Sequence, residues 1–449
     1  MSIFRYFQTL VPAAVIWALS FLPAQAQQQL SETAQKLAAE VAFLAAEVQA
    51  LEDENEIENL QRIFGFYIDK NMWTQAADLF AGQGSVEIGG GGVYVGKERI
   101  LAYFQSMGAE GPQAGILNDH MQLQPVIDVF ADGTAKGRWR HFSQEAVYQE
   151  SQHWGTGIYE NDYIREDGVW KIQTLHLYST MRTSYEAGWG EVALPRSVPS
   201  TQLPPDLPPS VAYENYPAVF VVPFHYQNPV TGSQVRAMAS AMAIPDSLAA
   251  LDATLDKLDK RVALLEDADA VEYVHTVYGY YLARNQWDEL TGIFAEDGTI
   301  EIAMRGIYQG KAGIRRNLDL YGVQGELPGI LHNHMQYQPV IHVAADGQSA
   351  LMRSRAFSMM GGYEGTGRWM GGVYENLFIK RDGIWQIAKD QVFNTYFIEY
   401  ERGWKDQGPR PPPGINPDNP PDLPPSVNFD MYPLPFLPPY HYRNPVSGR

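Results

Sequence analysis

His120-Met121-Gln122-Leu123-Gln124-Pro125-Val126-Ile127 returns 214 residues later as His334-Met335-Gln336-Tyr337-Gln338-Pro339-Val340-Ile341. Polar and apolar residues alternate in this stretch, which is the period of a β-strand. Alternate residues project from one face, so Asn118, His120, Gln122 and Gln124 form a polar ladder, with Met121, Leu123 and Pro125 behind it. The second copy carries His332, His334, Gln336 and Gln338. A solvent-facing side is the plain reading of such a face. Exposed strand faces usually carry Lys, Glu and Thr, so a His-Gln-Gln ladder held in both copies reads instead as a pocket wall or a paired sheet interface.

The match extends outward without a gap over residues 65–127 and 279–341, from Gly65-Phe66-Tyr67 and Gly279-Tyr280-Tyr281 onward. Beyond Asp132-Gly133 and Asp346-Gly347 the offset grows by one, and it then holds through Gly188-Trp189 and Gly403-Trp404. The Pro-rich tails repeat as well, Pro204 to Val211 matching Pro420 to Val427. Solenoid units run to roughly 20–50 residues. A period this long is a whole domain, duplicated.

The chain has 449 residues, 45% apolar and 12% aromatic, a net charge of −19 and no cysteine. This length suits about two or three domains. The acidic balance argues against nucleic acid, which needs clustered Lys and Arg, and against an anionic membrane surface. Without cysteine there are no disulfides, thiolate metal sites or Cys nucleophiles. Residues 1–26 read as a secretory signal. Arg5 lies in the n-region, Leu10 to Pro23 is apolar, and Ala24-Gln25-Ala26 is an A-x-A cleavage site. The expected mature protein is secreted or periplasmic, with no membrane span.

Each copy reads as three parts. Residues 27–51 and 245–265 form amphipathic helices. Leu37, Val41, Leu44, Val48 and Leu51 step by 4, 3, 4, 3, as do Leu251, Leu255, Leu258, Val262 and Leu265. That a/d seam predicts that the two helices pair, as an internal pseudo-dimer or in a homo-oligomer. Residues 52–192 and 266–406 form globular domains, helices first and then a meander of strands with hairpin turns at Asp167-Gly168 and Asp382-Gly383. This is an α+β order. Residues 193–244 and 407–449 are Pro-rich yet aromatic, unlike disordered linkers, and are expected to lie over a domain as extended arms.

Candidate chemistry gathers around the ladder. His120 and His334 suit proton transfer near neutral pH. Arg138 and Arg140, matched by Arg353 and Arg355, form a second ladder that either binds a carboxylate or developing enolate or pairs with acids across strands. Trp73 and Trp287, Tyr67 and Tyr281, and Tyr159 and Tyr374 surround these positions as core or pocket lining. His153 and His176 occur in the first copy alone, opposite Arg368 and Gln391. Their spacing is not a metal signature, Gly89 to Gly92 lacks the Gly-Lys-Ser/Thr of a phosphate loop, and no nucleophile motif is present. No metal and no cofactor are expected.

The pattern Tyr67-x-Asp69-x-x-x-Trp73, Gly96-Lys97-x-x-Ile100, His120-Met121-x-x-x-Pro125-Val126-Ile127 and Gly157-x-Tyr159 through Asp167-Gly168-x-Trp170 resembles SnoaL-like domains of the nuclear transport factor 2 superfamily. The resemblance covers both globular units and not the tails. It implies a curved sheet wrapped by helices into a cone with an internal pocket, and frequent pairing through the sheet. Within the superfamily the spacing is similar to scytalone dehydratase. That likeness implies Asp69 as the catalytic carboxylate, His120 as the first sheet histidine, His153 or Trp154 near the second, and Tyr67 beside Ile68 where a tyrosine would stand. The second copy departs from it, with Ala283 in place of the acid and Trp369 near the second histidine.

The expected function is an exported, cofactor-independent lyase or isomerase acting on a small aromatic or polyketide-like molecule. Asp69, His120, His153 and Tyr67 would be catalytic in copy one and His334 in copy two. Arg140, Arg355, His332, Gln122, Gln336, Tyr281, Trp73, Trp287, Tyr159 and Tyr374 would bind substrate. The alternative is a non-catalytic module with two degenerate pockets that holds a small molecule or a protein.

Overall fold

The structure, a computed structural model, describes residues 24–232, 248–325 and 328–449. The expected signal segment therefore lies outside the described residues, save Ala24-Gln25-Ala26, which opens the first helix. In domain 1 the elements run α1 (Ala24–Asp69), α2 (Trp73–Asp78), β1 (Phe80–Ile88), β2 (Val93–Val95), α3 (Lys97–Ser106), β3 (Ile116–Val129), β4 (Thr134–Val147), β5 (Ser151–Glu166) and β6 (Val169–Ser184). Domain 2 repeats them as α4 (Leu248–Leu282), α5 (Trp287–Gly292), β7 (Phe294–Ile302), β8 (Tyr308–Gln309), α6 (Gly310–Asp319), β9 (Ile330–Val343), β10 (Ser349–Gly362), β11 (Arg368–Arg381) and β12 (Ile384–Glu399).

Each domain holds one six-stranded sheet, in the orders β2-β1-β6-β5-β4-β3 and β8-β7-β12-β11-β10-β9. The β1–β6 and β7–β12 pairs are parallel and the other pairs antiparallel, so both sheets are mixed. Asp167-Gly168 and Asp382-Gly383 have φ of +55°, +80°, +50° and +78°. Two positive φ values in succession make the tight turn whose twist matches the flanking strands. Helices cover the concave face of each sheet, and Trp73, Phe104, Trp139 and Tyr163 fill the cone of domain 1.

The alternation of the opening motif ends at a β-bulge. Gln124 and Gln338 adopt φ of +51° and +56°, and the ladder register shifts beside them. An inserted residue breaks the period of two. Asn118, His120 and Gln122 do line the concave face. Gln124 turns to the convex side, where its Oε1 accepts from Arg140 Nε at 2.8 Å. Gln338 leaves its own domain: its Oε1 accepts from the Gln122 amide at 2.9 Å, and its Nε2 donates to the Arg62 carbonyl at 2.8 Å.

The seam helix and the first domain helix are one continuous helix in each copy. Val41, Ala45 and Val48 pack against Leu251 and Leu258. Leu37, Val41 and Val48 keep their expected place, but Leu51 is 46% exposed and Ala45 takes the position expected of Leu44, so the C-terminal part of the seam on α1 is rotated toward Ala45, whose small side chain lets the helices approach. Arg261 closes the contact on Glu52, with Nε–Oε1 at 2.8 Å.

The arms repeat one set of contacts. Leu207 bridges Val93, as Leu423 bridges Ile307. The Asp206 carboxylate accepts from the Val95 amide at 2.9 Å, and Asp422 from the Gln309 amide at 2.8 Å. The Ser210 and Ser426 hydroxyls donate to Glu87 and Glu301, each at 2.6 Å. The second arm then continues onto domain 1. The Tyr440 hydroxyl donates to the Phe66 carbonyl at 3.1 Å, Asn444 Nδ2 to the Gln75 carbonyl at 2.9 Å, and the Gly115 amide to the Pro433 carbonyl at 2.7 Å.

Between the domains, Trp404 is fully buried against Trp154 and Tyr185, with ring centroids at 4.9 and 5.1 Å. Beside it the Arg355 guanidinium, 3% exposed, bonds both Asp69 and Asp119 of domain 1. Removing one partner of a buried ion pair strands the other charge and costs about 3–5 kcal/mol. Arg355→Met should lower the melting temperature of the whole chain, and adding Asp69→Asn and Asp119→Asn should recover much of the loss. Additive losses in the triple variant would refute the coupling.

In domain 2 the Asp390 carboxylate is fully buried, accepting from the Tyr278 hydroxyl at 3.0 Å and from Asn376 Nδ2 at 2.8 Å. Burial pushes its pKa from 3.8 to about 6, against those two bonds. Between these values the folded state holds a proton that the unfolded chain has released, so this group's contribution to stability falls as pH rises through the window. Asp390→Asn should therefore stabilise at pH 7, by up to about 3 kcal/mol, and lose that advantage near pH 4, as read by thermal melts at both values.

Candidate functional site

Register places the side chains of the concave face. His120 lies opposite Ser143 and Gln122 opposite His141 on β4. His141, Ser143 and Glu145 lie opposite Gly157, Gly155 and His153 on β5. In domain 1 His120 Nδ1 is 3.0 Å from His141 Nε2. The Ser143 hydroxyl donates to Glu145 Oε1 at 2.9 Å, and Arg182 Nη2 donates to Glu145 Oε2 at 3.1 Å. The Tyr159 ring meets His141 edge-on at 5.6 Å. Deeper in the cone, Gln61 Nε2 donates to Gln122 Oε1, while Asn161 and Tyr163 donate to Gln61 Oε1. Gly65 permits this, since a Cβ there would lie 2.6 Å from Gln122 Cγ.

Burial drives His141 down to about 3, with His120 adding to the effect. His141 is therefore neutral and acts as a fixed neighbour to His120. Burial alone would raise Glu145, but His120, Arg182 and the Ser143 hydroxyl outweigh it and hold the carboxyl below its ordinary range. His153 is lowered by burial and then by Arg182. Domain 1 thus assembles an imidazole pair, an ionised carboxylate and a guanidinium on one wall, with His153 across the strand from Glu145.

Domain 2 carries a different chain on the same wall. Ser358 Oγ is 2.9 Å from His334 Nδ1, His334 Nε2 is 2.8 Å from His332 Nε2, and His332 Nδ1 is 3.1 Å from Asn285 Oδ1. Asn285 Oδ1 only accepts, so His332 carries its proton on Nδ1. His334 then donates from Nε2 and accepts the Ser358 hydroxyl proton on Nδ1. Both rings are neutral in this pattern, and burial lowers both pKa values, His334 the more strongly. Met360 and Phe397 stand where domain 1 has Glu145 and Arg182, so this wall lacks the charged pair of domain 1. A cleft of about 410 Å³ opens onto His332, lined by Ala283, Asn285, Pro328 and Ile330. The corresponding space in domain 1, at Asp69, Asn71 and Ile116, is about 30 Å³, because Tyr432, Leu434 and Phe436 of the second arm sit over it.

The structure brings His120 and His153 each near Glu145, without a contact between them, and separately pairs His332 with His334, with Tyr159 and Tyr374 on the pocket walls. Gln336 faces Tyr374, with Nε2 3.4 Å from the hydroxyl. Several expected assignments are corrected. Asp69 does not face the His120 imidazole. It ends α1 outside the β3 edge, where it accepts the His120 backbone N–H at 2.7 Å and pairs with Arg355. Arg355 is for the same reason an interface cation with no room for substrate. Tyr67 packs against Tyr440 and Tyr442 of the second arm, at 5.6 and 6.5 Å, away from the pocket. Arg140 is exposed on the convex face, and Arg138 and Arg353 form cross-strand pairs with Glu160 and Glu375. Gln122 is spent on Gln61. Trp73 and Trp287 are core residues whose indole N–H groups donate to Gly108 and Gly322 at 2.9 and 3.0 Å. Tyr281 packs on the domain 2 core.

Sequence reasoning missed His141, Ser143, Glu145 and Arg182. The first three alternate on β4 behind Trp139, so the period of two carried a signal; Arg182 had none. Among the described residues no group of three His, Cys, Asp or Glu is arranged to hold a metal. His141 should stay neutral as pH falls well below 6.5, with its ring nitrogens unchanged in NMR spectra recorded down to pH 5. A titration near 6.5 would contradict the buried pair.

The sequence profile of the SnoaL-like domain matches residues 49–176 and 263–389. Among solved structures, a scytalone dehydratase-like protein from Novosphingobium aromaticivorans is 22% identical, covers 34% of this chain and 95% of its own, and has a TM-score of 0.28. Hexachlorocyclohexane dehydrochlorinase LinA-type3 from Novosphingobium barchaimii is 20% identical over 31% and 92%, with a TM-score of 0.27. A protein of unknown function from Mycobacterium tuberculosis is 21% identical over 28% and 74%, with a TM-score of 0.24. No curated protein matches the chain. Two successive profile matches, which together span more than half of the residues and coincide with the two mixed sheets, show that this chain belongs to the SnoaL-like domain family.

Proposed function

We propose that the chain is an exported, cofactor-independent lyase or isomerase whose chemistry takes place in domain 1. The observation that carries this reading is the His120–His141 pair beside the Glu145 carboxylate and Arg182 guanidinium on the concave wall, whose mouth the second arm covers. Such a set suits removal of a proton next to a carbonyl. His120 would take the proton, and the electron pair would move onto the carbonyl oxygen, giving an enolate that Arg182 can stabilise. Glu145 would stabilise the imidazolium, and neutral His141 would not compete for the proton. Return of the proton to a departing hydroxyl completes a dehydration; return to another carbon completes an isomerisation. A small aromatic or polyketide-like ketone is the proposed substrate class, which the Tyr159 wall would accept. Export rests on Arg5, the apolar stretch and Ala24-Gln25-Ala26, and detection of a mature chain beginning after Ala26 would test it.

A second reading has its own support. The cleft of domain 2 lies against His332, which a neutral His334 backs, with Ala283 where domain 1 has an acid, which suits binding of a weakly polar molecule without turnover. The two readings separate in one assay. Against a panel of aromatic β-hydroxyketones, His120→Ala and Glu145→Gln should each lower kcat by about 10²- to 10⁴-fold, and His334→Ala should leave it unchanged. Loss of turnover through His334 and not His120 would move the chemistry to domain 2, and indifference to both would sink the enzymatic reading.

A further inference from the structure

The contact between the two domains is not reciprocal. A two-fold contact would bury the same residues on both sides. Here Trp404 is 0% exposed and its counterpart Trp189 is 60% exposed; Leu117 is 2% exposed and Leu331 is 48% exposed; Val340 is 0% exposed and Val126 is 39% exposed. Domain 2 offers its convex face and arm, and domain 1 receives them on its mouth and the end of α1. Among the described residues, nothing of the other domain covers the convex face of domain 1, which carries only its own arm at Pro223 to Tyr226, or the mouth of domain 2.

Those two surfaces fit each other by the geometry of the occupied one. Phe66, at the end of α1, is buried with the Arg353 and Arg355 guanidiniums over its ring at 4.8 and 5.2 Å. Its counterpart Tyr280 is 71% exposed. The counterpart of the receiving groove, lined by Gln124, Arg138, Arg140 and Tyr226, is an open hollow of about 180 Å³. The second arm lays Tyr432 to Phe436 over the mouth of domain 1. On the first arm, the matching Tyr216 and Val219 are 41% and 91% exposed, while among the described residues no arm covers the mouth of domain 2.

We infer that the mouth of domain 2 is the docking site for domain 1 of a second copy of this chain. Tyr280 enters the Arg138–Arg140 groove of that copy, and the copy's first arm, through Tyr216 and Val219, closes the cleft in front of His332. The contact repeats the head-to-tail interface already present within the chain and completes the second pocket. It lacks the buried ion pair, since Ala283 and Asn333 replace Asp69 and Asp119 opposite Arg140, so association is weaker than the internal contact and depends on concentration.

The test is sedimentation velocity on the full chain. Wild type should assemble as concentration rises into the high micromolar range, and Tyr280→Glu and Val219→Glu should each remain single chains with unchanged melting temperatures. Each variant keeps one live surface, so an equimolar mixture should form a one-to-one complex and grow no further. Ala283→Asp with Asn333→Asp should tighten assembly about tenfold by giving Arg140 its acids, and Arg140→Ala should reverse that gain. A wild type that stays a single chain, variants that assemble as wild type does, or a mixture that forms no complex would each overturn the proposal.

Discussion

Arg355 lies between Asp69 and Asp119 with almost no access to water, and much of the molecule is arranged around that fact. A guanidinium withdrawn from solvent needs its charge met nearby. The two carboxylates that meet it come from the end of α1 and the edge strand β3 of the other domain. Phe66 and Tyr440 flank the arginine ladder, and Trp404 and Tyr396 exclude water beside it. The same contact decides which residues are free for chemistry. It takes Asp69 away from His120 and turns what reads as a substrate-binding arginine into a strut between domains.

Duplication has left two cones with one scaffold and unequal interiors. In domain 1 the pocket wall is charged and its mouth is covered by the second arm. In domain 2 the wall carries no charged pair, only a neutral Ser-His-His-Asn chain and the Gln336–Tyr374 contact, and among the described residues no arm covers its mouth. The two halves of the chain therefore differ less in fold than in electrostatics and access. The electrostatic difference follows from a few substitutions, Glu145 to Met360, Arg182 to Phe397, His141 to Ala356 and Asp69 to Ala283; the difference in access follows from the second arm, which lies over the mouth of domain 1. An interface that uses different surfaces on its two sides adds a further asymmetry: among the described residues, the convex face of one domain and the mouth of the other lack a domain partner.

Much of this was legible before any coordinates. The strand alternation at His120 and His334, the paired hairpin turns and the repeated arms all have local physical causes: a period of two, positive φ at Asp-Gly, and recurring Pro and aromatic residues. The concave placement of His120, Gln122, His332, His334 and Gln336 followed from that period. The place of Gln124 did not, because a bulge costs one residue of register and leaves no mark in composition. The seam between α1 and α4 was visible, but its rotation toward Ala45 depends on how closely two particular helices approach.

By itself the sequence determined what local forces determine: two copies of an α+β domain, the faces of their strands, the pairing of their long helices and the absence of thiol chemistry. Tertiary structure alone decided which polar residues face one another. Whether Asp69 meets an imidazole or a guanidinium turns on a residue 286 positions away, and Glu145 and Arg182 meet only because β4, β5 and β6 curl into one wall. Charge pairing acts through space over a few ångströms, and no periodicity along the chain encodes that distance.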